Sequence, residues 1–164
     1  MLNQLSKYKM FKLAEVFSTI FFIGNSKFMP GTIGSLISII LIFFLNKIVS
    51  SYIFISIFLI IFFLSLIFIE IYSRTINKYD SKEIIIDEFL GIYFIMIFFP
   101  YFSSLKDIIN ILLIFLIFRF FDIVKIFPAN WIDKNIKNSF GVICDDLIAS
   151  IYTIIIILLI NFYV

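Results

Sequence analysis

Long apolar runs, separated by short charged intervals, organise this chain. Ile48 to Ile69 is an uncharged stretch of 22 residues and Leu147 to Val164 another of 18. Each is long enough to cross a hydrocarbon core of roughly 30 Å as a helix. Phe89 to Leu105 adds 17 uncharged residues, and Ile108 to Phe118 stays apolar up to Arg119 and Asp122. These two read as a helical hairpin turning around Pro100 to Lys106. The run Ile33 to Leu45 has 13 residues and spans only by borrowing Gly31, Thr32 and the stretch through Val49. Lys12 to Gly24 is short, carries Glu15 and follows lysines, which suits a helix lying on the membrane rather than crossing it. No small-residue cleavage site follows it, so it does not read as a signal peptide.

The pattern predicts an all-α integral membrane protein. It is a compact bundle of about four to five transmembrane helices, at about 33 to 49, 52 to 69, 89 to 105, 107 to 121 and 147 to 164, with an N-terminal interfacial helix. Composition agrees: 63% of the 164 residues are hydrophobic and 15% charged, with a mean hydropathy of +1.16, against roughly 25% charged residues in soluble domains. A single domain over 1–164 is expected, with 1–29 as the interfacial segment and 30–164 as the bundle. The 24 phenylalanines read mostly as lipid-facing filler. The lone Cys144 reads as a small helix residue rather than a reactive thiol. A net charge of +2 with scattered basic residues argues against nucleic acid as a partner.

Charge adds an orientation. With five spans, eleven of the thirteen basic residues fall on one side and only Lys47 and Lys106 on the other. The rich side is therefore expected in the cytoplasm and the C-terminus outside. Ten of the eleven carboxylates share the rich side, Asp107 being the exception. The pairs Asp87/Glu88 and Asp145/Asp146 fall where a loop becomes a span.

Carboxylates at a membrane boundary call for a reason, because a charge in the bilayer costs about 3 kcal/mol or more. Adjacent pairs repel unless a cation compensates them. One bland account is that each pair enters the first turn of a helix, at the positive end of its dipole. Two pairs on one face, with Asp122 arriving from a third span, favour a metal site. An oxygen-rich, histidine-free set suits Mg2+ rather than zinc or copper. Pro30-Gly31-Thr32-Ile33-Gly34-Ser35 puts two glycines and two hydroxyls at a helix start, where backbone N–H groups face an anion. Arg119, Asp122 and Lys125 recur at intervals of three and share one helix face. They form either an ion-pair ladder or a site in which Arg119 and Lys125 hold phosphate and Asp122 a metal.

Four segments, PGTIGS at Pro30 to Ser35, D-x6-DE at Asp80 to Glu88, FRFFDIVK at Phe118 to Lys125 and GVICDDLIA at Gly141 to Ala149, resemble in order and spacing the bacterial phosphatidylglycerophosphatase A family. Ser81 and Ile126 stand where the family usually has proline. The resemblance implies Mg2+-dependent hydrolysis of phosphatidylglycerophosphate to phosphatidylglycerol and phosphate, on the cytoplasmic face of the bacterial inner membrane. Asp87, Glu88, Asp122, Asp145 and Asp146 would share metal binding and activation of water. Arg119 and Lys125, with Gly31, Thr32, Gly34 and Ser35, would hold the phosphate. The absence of histidine excludes a phosphohistidine mechanism, and no Cys-x5-Arg or Asp-x-Asp pattern occurs. Water attack and an aspartyl-phosphate both stay open, as do metal number, oligomeric state and selectivity among lipid phosphates. A cation transporter, another metal-dependent head-group enzyme such as a CDP-alcohol phosphatidyltransferase, and a membrane scaffold are the rival readings.

Overall fold

In a computed structural model the chain is described for residues 2–79, 81–99 and 105–163. Among these residues it is all helical: α1 (Leu2–Ser18), α2 (Pro30–Ile48), α3 (Ser51–Ile76), α4 (Ile86–Phe98), α5 (Leu105–Val124), α6 (Ala129–Asn135) and α7 (Ser139–Tyr163), with one 3-10 turn at Ile23–Asn25. Helices α2 and α3 and the segment Ser139–Ile160 of α7 are long and apolar enough to cross a membrane. The turn expected around Pro100 to Lys106 lies largely outside the described residues.

Helix α4 is the centre of the bundle and packs against α2, α3 and α7. Leu90, Ile92, Tyr93, Ile95 and Met96 are all buried, as expected of a helix apolar on every side. The outer helices divide their faces. Inward, Ile42, Ile69, Ile114, Phe118, Ile143 and Ile157 reach the core, while Ile60, Phe63, Leu112, Leu116 and Leu158 are exposed. An apolar outer surface of this extent requires lipid, not water, around it. Within the core, Ser38, Ser65 and Thr153 donate to carbonyls four residues earlier in their own helices. Their hydroxyls are thereby satisfied without an external partner.

Several expectations shift. The first span begins at Pro30, so it does take in Gly31 and Thr32, with Pro at the first helical position where its missing N–H costs nothing. The second extends to Ile76 and carries Glu70 and Arg74 past the apolar run. The last begins at Ser139, not Leu147, because Asn138 caps it: the Asn138 side chain accepts from the Gly141 N–H at 2.9 Å. Asp145 and Asp146 therefore sit in the second turn of a continuous helix, not at its boundary. The N-terminal helix starts ten residues earlier than expected and packs along α3, with Phe11 stacked on Tyr72 and Phe17 tilted against Phe68. Phenylalanine is also more than filler, since Phe54, Phe58, Phe118 and Phe121 are buried and Phe54 and Phe58 pack on Tyr93.

Candidate active site

The start of α2, the end of α3, the start of α4, the end of α5, α6 and the start of α7 all border one cavity of about 760 Å³ at one end of the bundle. Up-and-down connections bring them there, since every second helix end returns to the same side. Gly31, Thr32, Asp87, Glu88, Arg119, Asp122, Lys125, Asp145 and Asp146 all line it. Four stretches far apart in sequence thus meet in one space.

Asp87 and Glu88 occupy the first turn of α4, and Asp146 faces them from α7. One carboxylate oxygen from each of the three lies within 4.8 Å of the others. The helix crossing sets this spacing. Gly91, one turn beyond Asp87, and Ser150, one turn beyond Asp146, touch directly: the Ser150 hydroxyl contacts the Gly91 carbonyl at 2.9 Å and its own Asp146 carbonyl at 2.7 Å. A Cβ on Gly91 would come within 3.0 Å of Ser150 Oγ and closer still to the Phe118 ring. The missing side chain lets α4 and α7 approach closely enough for their carboxylates to converge.

Among the described residues, Arg119, 3.5 Å from Glu88 Oε1, is the cation paired with this trio, and Asp87 and Asp146 have no ion pair. Asp87 accepts from the Glu88 N–H at 3.1 Å. Glu88 and Asp146 are 9% and 4% exposed, yet Glu88 Oε2 and Asp146 Oδ2 are buried with no hydrogen-bond partner among the described residues. Buried anionic oxygens without donors are costly. Their donor set, three carboxylates and no imidazole or thiolate, matches what a hard divalent cation takes.

The other carboxylates of the cavity are paired with cations, although Asp145 Oδ1 is likewise buried without a partner among the described residues. Arg119 Nη1 pairs closely with Asp122 one turn on, lies 3.5 Å from Glu88 Oε1 and donates to Ser35 Oγ at 3.5 Å. The first turn of α2 runs over this group, and a Cβ on Gly31 would lie 3.1 Å from Arg119 Nη1 and against Glu88 Oε1. Gly31 and Thr32 thus bring first-turn N–H groups, which have no partner within a helix, to the cavity wall beside Arg119. Gly34 and Ser35 stand behind that wall. Gly34 is packed on Ile85, and Ser35 is fully buried with its hydroxyl donating to the Gly31 carbonyl at 2.8 Å.

The expected ladder of three charges is half realised. Arg119 and Asp122 pair, but α5 ends at Val124 and Lys125 takes a left-handed backbone, φ 46°, which turns it away. Its ammonium reaches Asp145 at 2.6 Å and Asp133 of α6 at 3.1 Å. Burial alone would lower the Lys125 pKa, but the charges and hydrogen bonds of Asp145 and Asp133 outweigh it and hold the pKa above its ordinary range. The Tyr152 hydroxyl donates to the Phe127 carbonyl at 2.6 Å, tying this turn to α7.

Sequence reasoning did not single out Asp133, Lys27, Lys78, Tyr79, Lys82 and Lys137, which also line the cavity. The five charged residues among them stood out only as charges in polar intervals, and Tyr79 did not stand out at all. Glu70 was missed too, and it joins two helix ends: Oε1 accepts from Arg74 at 2.6 Å and Tyr79 at 3.0 Å, and Oε2 from the Ser139 N–H at 3.2 Å.

A helical membrane-type bundle with a cavity at one end, a buried carboxylate trio and basic groups beside it defines the class of a membrane phosphoryl-transfer enzyme. The sequence matches the family model Phosphatidylglycerophosphatase A over residues 16–161. It is 33% identical over 134 residues to Phosphatidylglycerophosphatase A of Haemophilus influenzae, covering 82% of this chain and 80% of that protein. To the protein of the same name from Escherichia coli it is 28% identical over 79 residues, 48% of this chain and 44% of that one. No solved structure matches it. The chain belongs to the phosphatidylglycerophosphatase A family and is a phosphatase.

Proposed function

We propose that this protein is a Mg2+-dependent phosphatase that hydrolyses phosphatidylglycerophosphate to phosphatidylglycerol and phosphate, at the cytoplasmic face of a bacterial inner membrane. The observation that carries the metal assignment is the trio Asp87, Glu88 and Asp146, converging within 4.8 Å with buried oxygens left without donors. The substrate reading rests on the names of the relatives. It also fits a cavity that opens at the end of an apolar bundle, where a lipid keeps its acyl chains in the bilayer while its head group enters.

In this mechanism Asp87, Glu88 and Asp146 hold the cation, and Arg119 with the first-turn amides of Gly31 and Thr32 takes the phosphoryl oxygens. An ion held there would supply charge neutralisation at the phosphoryl group and make a nearby water easier to deprotonate. Asp122 keeps the Arg119 guanidinium aimed into the cavity. Asp145 and Asp133 hold Lys125 as a fixed positive charge on the opposite wall. A water oxygen bonds to phosphorus as the phosphorus–glycerol oxygen bond breaks, and one proton released by that water passes to the leaving alcohol oxygen. Carboxylates gathered at one end of the bundle, not midway along it, argue against a cation transporter.

For placement in the membrane, we assign α2, α3 and α7, which are long and apolar enough, as crossing helices. We assign α4 and α5 as a further hairpin of the bundle and α1, with Lys7 and Lys9 exposed, as the interfacial helix. Phosphate release from phosphatidylglycerophosphate by the purified chain, with Mg2+ and after chelation, tests the activity. Mg2+-dependent release is expected, and folded protein that releases none overturns the assignment. Orientation is tested separately by a Lys134→Cys probe in a Cys144→Ala background. It should react with an impermeant maleimide in inverted vesicles, and reaction only in right-side-out vesicles would reverse the topology.

A further inference from the structure

We infer that Lys27, Lys78 and Lys82 form a second anion subsite at the rim of the cavity, recognising the phosphodiester of a lipid that carries two phosphates. Such a subsite separates that lipid from one bearing a single phosphomonoester. The inference rests on the lipid phosphatase reading and deepens it.

The pairing of charges singles these residues out. Of the six basic residues that line the cavity, Arg119 is taken by Asp122 and Glu88, Lys125 by Asp145 and Asp133, and Lys137 lies 3.9 Å from Asp133. Lys27, Lys78 and Lys82 make no ion pair among the described residues. Three cations left over on the wall of one cavity call for an anionic ligand.

Their backbones are fixed although their side chains are exposed. Gly24 packs directly on the Glu83 carbonyl, where a Cβ would overlap it, and the Ile85 N–H donates to the Ser18 carbonyl at 3.0 Å. The segment bearing Lys27 is thereby pinned to the segment bearing Lys82. Lys78 follows Asn77, whose left-handed backbone, φ 54°, closes α3, and the Lys78 N–H returns to the Ser73 carbonyl at 3.0 Å. Tyr79 next to it is held by Glu70.

Depth and size complete the argument. The carboxylate trio is buried or half-buried at the floor, while the three lysines are exposed at the mouth, so two anionic groups at different depths match the site. A volume of about 760 Å³ falls within the range of roughly 300–1,000 Å³ that houses a whole small molecule. A lone phosphomonoester leaves most of it empty. In a lipid whose terminal monoester reaches the floor, the diester nearest the acyl chains stays at head-group level, where basic residues meet phosphates.

The test uses the full chain in uncharged detergent, so that no anionic lipid competes, and compares wild type with the Lys27→Gln/Lys78→Gln/Lys82→Gln variant. The ratio of kcat/KM for phosphatidylglycerophosphate over phosphatidate of the same acyl chains is expected to fall about tenfold, through KM, because uniform binding is lost. An unchanged ratio overturns the subsite. Calorimetric titration reads it without turnover: wild type should bind the deacylated two-phosphate head group about tenfold tighter than glycerol 3-phosphate, and the variant should bind both alike. Equal binding in wild type overturns the proposal, whereas a restored preference in the triple Lys→Arg variant supports it. Wild type that prefers the two-phosphate head group yet hydrolyses neither lipid removes the phosphatase reading and leaves the subsite standing.

Discussion

The two acidic groups of the cavity are built from the same side chain and balanced in opposite ways. On the α4/α7 side, Asp87, Glu88 and Asp146 converge with buried oxygens that have no donor among the described residues. Around the ends of α5 and α6, Asp122, Asp133 and the α7 residue Asp145 are paired with Arg119 and Lys125, although Asp145 Oδ1 is also buried without a partner among the described residues. An acidic group that brings its own cations is complete as the chain folds. One that has only the more distant Arg119, 3.5 Å from Glu88, is destabilised until something more positive arrives, which is how functional sites trade stability for activity. On the proposed function, the first group is where an ion would bind, and the second is the frame that sets positive charges around it.

The largest expected effect tests that division directly. Asp146→Asn or Glu88→Gln should lower kcat about a thousandfold, equivalent to roughly 4 kcal/mol of lost transition-state stabilisation. Asp146→Asn should leave thermal stability without added metal equal or higher, because a like charge is removed, whereas Glu88→Gln also gives up the 3.5 Å contact with Arg119. Unfolding curves and phosphate release on the same samples check both halves. A variant that loses activity and stability together would place these carboxylates with the structural set instead.

A smaller effect is expected from their spacing. Gly91→Ala places a methyl group against Phe118 and Ser150, and overpacking of this kind costs about 1–3 kcal/mol. Activity should fall more steeply than stability, about a hundredfold, because a displacement near 1 Å at reacting groups has that effect. Ser150→Ala removes the hydroxyl without separating the helices, and should leave most of the activity. Equal losses in the two variants would count against the crossing as the device that sets the trio.

The frame should respond in the reverse manner. Asp133→Asn leaves Lys125 with Asp145 alone, so a destabilisation of about 1 kcal/mol is expected for a half-buried pair. The accompanying loss in kcat should be only about tenfold, because Lys125 keeps its closer partner at 2.6 Å. Chemical denaturation compared with turnover distinguishes this from the first group, whose variants lose activity and keep stability.

Much of this was legible in the sequence, for particular reasons. Proline and glycine at Pro30 and Gly31 mark a helix start whatever the tertiary context, and long uncharged runs leave little choice but a spanning helix. Charged clusters at the ends of those runs are carried to one end of the bundle by the alternation of direction. What could not be read depended on contacts between helices. Gly91 is one glycine in an apolar run, and nothing local says that Ser150 lies across from it. Asp133 sits on a helix of seven residues, too short to show a period. The ladder of Arg119, Asp122 and Lys125 follows helical spacing, but the spacing holds only while the helix continues, and the left-handed turn at Lys125 ends it. The start of α7 was placed late because two adjacent aspartates read as a boundary, whereas the cap at Asn138 lies two turns upstream.

The mildest prediction separates the two acidic groups without any assay of turnover. Addition of Mg2+ to the purified protein should raise its Tm by about 5–10 °C, since a ligand at a hundred times its Kd stabilises the folded state by about 2.7 kcal/mol. Chelation should reverse the shift. The rise should vanish in Asp146→Asn, where the trio loses a ligand, and persist in Asp133→Asn, where only the frame is touched. A rise retained in the first and lost in the second would move the ion to Asp133 and Asp145. Lys125 would then have to give up the contacts that now hold its ammonium between them, so the same experiment asks which of the two groups is already neutralised.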